Sequence, residues 1–236
     1  MPGRNVEFPA NGGRASGYLS TPDSGRGPGV VVIQEWWGLN ANTRSIADRF
    51  AAEGFVALAP DLYHGRVTRE PDEAGKLMMA LNIDRAAQDL RGAAQYLLGA
   101  VSRPEGQGGA AGPKVGVVGF CMGGQLALYG GTVAPDQVGA VVDFYGIHPN
   151  IRPDFTRLQG PVLGLFAERD SSVTPEAVRA LEGQIRAAGK QIETHIYPGV
   201  DHAFFNDDRP EVYDAGASRD AWERTLRFLR QHLSRP

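Results

Sequence analysis

The residues best placed to do covalent chemistry are a cysteine, a histidine and an aspartate: Cys121, His202 and Asp170. Cys121 is the only cysteine in 236 residues and stands in Gly119-Phe120-Cys121-Met122-Gly123, directly after the apolar run Val115-Gly116-Val117-Val118. A nucleophile on a sharp strand-to-helix turn has its side chain pushed clear of the sheet. Glycines two residues before and two after it remove the Cβ atoms that would collide as the chain reverses. The first amides of the helix that follows carry partial positive charge, so they favour thiolate and can bind an oxyanion, Met122 N–H first. The chemistry would be nucleophilic acyl transfer. Gly-x-Cys-x-Gly alone is a weak pattern, because most lone cysteines are small buried hydrophobes. The strand–turn–helix context favours the nucleophile.

An acid and a base follow in chain order. The apolar run 161–166 ends in Ala167-Glu168-Arg169-Asp170 ahead of a helix, which sets Asp170 at the carboxyl end of a strand, where open α/β sheets do chemistry. Glu168 is its local rival. A later strand leaves into Pro198-Gly199-Val200-Asp201-His202, so His202 lies on a loop at the same sheet edge. Of the other histidines, His64 follows a strand and is a candidate to line the cleft. His148 lies beyond another strand, His195 is inside one, and His232 is in a terminal helical pattern. Agreement of nucleophile, orienter and base in order and strand-end placement is more specific than any one residue.

The first core strand runs into Gln34-Glu35-Trp36-Trp37-Gly38. This loop commonly gives the second oxyanion amide, here Trp36 N–H. Adjacent indoles point different ways, so at least one of Trp36 and Trp37 is expected to wall a pocket. Glu35 brings a carboxylate near the thiol. It either gates the resting cysteine or pairs structurally with an arginine or backbone donors.

The elements that must hold these residues are short apolar strands alternating with helical stripes. Segments 5–8 and 15–19 flank Gly12-Gly13 as a peripheral hairpin. Core strands are expected at 30–33, 55–59, 115–119, 138–142, 161–166 and 192–197, continuous in apolarity as in a parallel sheet covered on both faces. Helices are expected after Asn42 as N-cap (Ile46, Phe50, Ala51), along Ile83, Ala87, Leu90, Ala94 and Leu97, from Thr174-Pro175, and along Trp222, Thr225, Leu226 and Leu229. The alternation predicts one α/β domain over residues 1–236, with a mostly parallel central sheet and helices on both faces. Residues 103–113 read as a flexible glycine-rich loop within it.

Composition narrows the partners. Lys and Arg number 24 against 27 Asp and Glu, net −3, with no long run of one sign, so nothing electrostatic favours nucleic acid or an anionic membrane. No signal-like leader or bilayer-length apolar run is present, and one cysteine cannot form an internal disulfide, so the expected compartment is cytoplasmic. There is no His-Glu-x-x-His or histidine cluster, and the glycines near Cys121 do not give Gly-x-Gly-x-x-Gly. No metal and no cofactor are expected.

Six motifs in order make the chain resemble the dienelactone hydrolase (carboxymethylenebutenolidase) family of the α/β-hydrolase superfamily over nearly its whole length. They are Gln34-Glu35-Trp36-Trp37-Gly38-Leu39, Ala59-Pro60-Asp61-Leu62-Tyr63, Gly119-Phe120-Cys121-Met122-Gly123-Gly124, Tyr145-Gly146, Glu168-Arg169-Asp170 and Tyr197-Pro198-Gly199-Val200-Asp201-His202-Ala203-Phe204. The resemblance implies an α/β-hydrolase fold and a monomer that opens a lactone or cleaves an activated ester with a Cys-His-Asp set. It implies Glu35 as the gate and Met122 and Trp36 as oxyanion amides. Trp37, Tyr63, His64, Tyr145, Phe204, Asn206 and Arg209 are the candidates for the substrate pocket. The family's substrate-gripping arginine four residues after the histidine is Asn206 here, and an amide cannot supply a guanidinium's charged bidentate grip. Asp207 and Asp208 compete for Arg209, and no arginine within 65–76 is assigned. A neutral or differently charged ester or lactone fits as well as dienelactone. The alternative from another class is a catalytically silent protein of the same fold, used for ligand binding or regulation.

Overall fold

The computed structural model describes residues 3–10, 12–99, 109–110, 112–146 and 148–233. Chain order is β1 (Arg4–Ala10), β2 (Gly13–Ser20), β3 (Arg26–Gly27), β4 (Gly29–Ile33), α1 (Ala41–Ala52), β5 (Val56–Pro60), α2 (Pro71–Met79) and α3 (Ile83–Gly99). Then come β6 (Gly109–Ala110), β7 (Val115–Phe120), α4 (Met122–Val133), β8 (Val138–Phe144), a 3-10 turn (Phe155–Arg157), β9 (Val162–Ala167), α5 (Pro175–Ala187), β10 (Ile192–Tyr197) and α6 (Ala215–Leu233).

Eight strands form one sheet in the order β1-β2-β5-β4-β7-β8-β9-β10. The hairpin pair β1 and β2 is antiparallel, β2 also runs antiparallel to β5, and every other pairing is parallel. Residues of β4, β5 and β7 are buried throughout, because helices cover both faces. One face packs Val31, Val117 and Val141 against Leu90 and Leu97 of α3 and Leu126 of α4. The other packs Val30, Val118 and Val142 with Phe50 of α1 and Leu226 and Leu229 of α6. Each such side chain contributes roughly 1.5–3 kcal/mol by leaving water.

Three expectations are corrected. The cap of α1 is Asn40, whose side chain accepts from Thr43 N–H, and not Asn42, whose amide is committed to Asp207 at 2.9 Å. Helix α2 went unread because it is short; its signals are Pro71 at the first position and Asp72 and Glu73 in the first turn. Within the glycine-rich loop 103–113, Gly109 and Ala110 form β6, a two-residue partner of β3, while positions 103–108 and 111 lie outside the described residues.

Candidate active site

Four described non-glycine residues have positive φ: His64, Cys121, Tyr145 and Ala203. They follow β5, β7, β8 and β10 respectively, so the backbone strain gathers along the carboxyl edge of the sheet.

Cys121 is the cap of α4 at φ 54° and ψ −123°, half-exposed, with its N–H donating to Phe144 O at 3.0 Å and its carbonyl accepting from Gly124 N–H at 2.9 Å. The flanking glycines are there for space. A Cβ on Gly119 would lie 1.8 Å from Gly123 O, and one on Gly123 would lie 2.5 Å from Gln34 O. Met122 opens the helix and is fully buried.

Asp170 leaves β9 with a buried carboxylate. One oxygen accepts from Ser172 and Val173 N–H at 2.7 and 2.9 Å, and the other meets His202 Nδ1 at 2.5 Å. Burial works to raise its pKa, but the His202 contact and the two backbone amides outweigh it and hold the carboxyl below its usual range. Burial likewise works to lower the pKa of His202. Hydrogen bonds to Asp170 and to the Cys121 sulfur overcome it and push the imidazole up to about 10. Imidazole and carboxylate are thus joined directly, with the Cys121 sulfur near enough to act on the imidazole's pKa. Glu168, the rival acid, accepts instead from Gly199 N–H.

Glu35 is buried, with its oxygens 3.3 Å from Tyr145 OH and 2.9 Å from Asn206 Nδ2, both donating. Burial raises its pKa against these two bonds and the positive charges of His202 and Arg209. The Tyr145 ring stands edge-on to His202 at 5.0 Å, so Glu35, Tyr145 and His202 are one packed unit. The structural partners anticipated for Glu35, an arginine or backbone, are here a phenol and an amide.

Other anticipated pocket residues fall in different places. Trp37, Asn206 and Arg209 share a cavity of about 460 Å³ with Asn40, Thr68 and Arg69. Arg209 pairs with Glu211 at 2.8 Å rather than with Asp207 or Asp208, and its guanidinium lies over Trp37. Tyr63 and His64 border a separate cavity of about 200 Å³ with Leu77, Leu81 and Arg85. The Tyr63 hydroxyl donates to Met122 Sδ at 3.2 Å, which makes Tyr63 the wall between that cavity and the elbow. His64 lies 3.5 Å from buried Asp89 and 3.4 Å from Arg85. Phe204 is fully buried among Phe144, Tyr145 and Tyr197, a core position. The Trp36 ring packs on Trp37 at 5.0 Å. Arg69 and Asp89 escaped the sequence reading; Asp89 was readable only as a polar break in the α3 stripe, and Arg69 carried no signal.

Parallel β–α layering with a strained strand-to-helix turn at Cys121, and Asp170 and His202 beyond later strand ends, is the architecture of an α/β-hydrolase. The dienelactone hydrolase family model matches residues 15–233. "Protein usf" of Aquifex pyrophilus is 38% identical over 98% of this chain and 100% of that protein. A protein of Aquifex aeolicus provisionally named carboxymethylenebutenolidase is 34% identical over 98% of this chain and 99% of its own. A crystal structure from Klebsiella pneumoniae, provisionally named dienelactone hydrolase, matches with a TM-score of 0.83 at 28% identity, covering 98% of this chain and all of that one. The chain belongs to the dienelactone hydrolase family, and with it to the hydrolases of carboxylic esters and lactones. No helix among the described residues is long and apolar enough to cross a membrane.

Proposed function

We propose that this hydrolase opens lactones or cleaves activated esters through a thioester on Cys121, with His202 as acid–base and Asp170 as the residue that orients it. The observation carrying this reading is the His202 imidazole held at 2.5 Å by the buried Asp170 carboxylate, beside a Cys121 sulfur that helps raise its pKa. His202 holds the thiol proton, and the thiolate attacks the acyl carbon. The developing oxyanion lies between the amides of Met122 and Trp36. As the tetrahedral adduct collapses, the C–O bond to the ring or leaving oxygen breaks and His202 returns the proton to that oxygen. Water then gives a proton to His202 and its oxygen to the acyl carbon, and the thiolate leaves. No metal or cofactor enters these steps, and the proposed enzyme works in the cytoplasm as a monomer.

Thiolate is itself a good leaving group, so an adduct bearing a poor alkoxide collapses backwards. Enol-type lactones and aryl esters are therefore the favoured class, and plain alkyl esters turn over weakly. The Trp37–Asn206 cavity is proposed to take the remainder of the substrate. Its lining carries two cations, Arg69 and Arg209, against one carboxylate, Asp208, and Asn206 stands where a third cation would otherwise be expected. Glu35 is proposed to gate the resting thiol by moving from Tyr145 and Asn206 towards Cys121.

The test uses lactones and activated esters with and without a carboxylate group. Iodoacetamide is expected to abolish turnover, and Cys121→Ala to remove it while leaving the circular dichroism spectrum unchanged. Hydrolysis that survives both treatments contradicts the cysteine mechanism. Tight ligand binding with no hydrolysis by the wild type would support the silent alternative.

A further inference from the structure

One buried ionisable group near the elbow has no part in these steps. Asp143 is the penultimate residue of β8 and is 0% exposed, and neither carboxyl oxygen has a well-formed hydrogen bond. Its neighbours across the sheet are Gly119 on β7 and Gly164 on β9, so no side chain of those strands competes for its space. On the helix side, a Cβ added to Gly124 would lie 2.1 Å from Asp143 Oδ1, and one added to Gly146 would lie equally close. Two glycines thus form a socket fitted to this carboxyl.

The socket joins the two halves of the site. Gly124 belongs to the first turn of α4, beneath Cys121 and Met122. Gly146 follows Tyr145, whose ring stands against His202 and whose hydroxyl holds Glu35. Phe144, next to Asp143, accepts the Cys121 N–H. Through its backbone and its carboxyl, this short stretch touches nucleophile, base and gate together.

We infer that Asp143 is a positioning residue whose neutral, protonated carboxyl seats the elbow against the Tyr145–Gly146 turn, and whose ionisation turns the thiolate and the oxyanion site down. The inference rests on the thiolate reading above. A second negative charge enclosed near the start of α4 opposes the negative sulfur and oxygen that the same helix end must stabilise. The titratable groups on the elements that meet it are Cys121 at the α4 cap, Tyr145 in the following turn and, two turns along α4, Tyr129; β7 and β9 present glycines. Burial raises the Asp143 pKa to about 7, with the Gly146 amide alone pulling down, so the proton is exchanged within the working range.

The experiment compares wild type with Asp143→Asn, a neutral near-isostere, between about pH 6 and 8.5. Two rates are followed: kcat/KM on an aryl ester and iodoacetamide alkylation of Cys121. The variant-to-wild-type ratio is expected to grow about fivefold from the lower to the higher pH in both measurements. A purely structural Asp143 would change the ratio equally at every pH, and that result overturns the inference. Should the Asn variant fold poorly, Asp143→Ser must show the same pH-dependent ratio. Ester turnover by Cys121→Ala would instead overturn the thiolate reading on which the inference stands, so the two failures are distinguishable.

Discussion

At the scale of single residues, the site depends on what is missing as much as on what is present. Gly119→Ala would put a methyl carbon 1.8 Å from Gly123 O, so the elbow must open to accommodate it. The variant is expected to lose more than about 3 kcal/mol of stability or the reactivity of its thiol, checked by urea unfolding and alkylation rate. Gly12→Ala, with nothing within 4 Å and only a positive φ of 69° to resist it, is expected to cost about 1 kcal/mol with activity intact. Asp170→Asn keeps the shape but removes the charge that holds His202. It is expected to cut kcat by about a thousandfold or more, measured on an aryl ester; a loss below tenfold contradicts the assigned role. Linkage adds a pH signature. The folded pKa of His202 is raised to about 10, so its ion pairing stabilises the fold fully below its ordinary value and is lost as pH rises through about 10. Wild type is therefore expected to lose its stability advantage over His202→Gln as pH climbs from about 7 to 10, measured by urea midpoints.

At the scale of elements, the caps and turns decide where the chemistry points. Replacing Asn40 by Ala removes the α1 cap and is expected to cost about 1 kcal/mol in urea unfolding, whereas Asn42→Ala spares the cap and severs only the tie to Asp207. The core strands were legible because β4, β7 and β9 are short continuous apolar runs, a pattern that only two-sided burial explains. The placement of Cys121 and Asp170 was legible because each follows such a run, whereas β10 ahead of His202 is a mixed, partly exposed edge strand whose end was marked by Pro198-Gly199 instead. The cap of α1 was misread because Asn40 and Asn42 are chemically the same, and only the fold shows which has a partner elsewhere. The Glu35 contacts were beyond reach: Asn206 lies 171 positions away, and no local pattern records that pairing. Asp143 was hidden inside an apolar strand, where a single acid reads as an interruption.

At the scale of the whole molecule, the sheet gathers residues from six strand ends onto one edge, and helices cover both its faces. Phe50 illustrates the dependence on that packing. It is fully buried between Phe55 and Trp222, and Phe50→Ala is expected to cost about 3–5 kcal/mol by urea unfolding while leaving the chemistry of surviving folded protein unchanged. The fold thus holds in place the strained edge on which the proposed chemistry depends.

The most direct measurement is an acid quench of the enzyme during turnover of an aryl ester, followed by mass spectrometry of the peptide containing Cys121. The thioester mechanism predicts an added acyl mass on that peptide alone, released by hydroxylamine and absent from Cys121→Ala. Turnover with no acyl adduct on that peptide, or with the adduct on another residue, would contradict it.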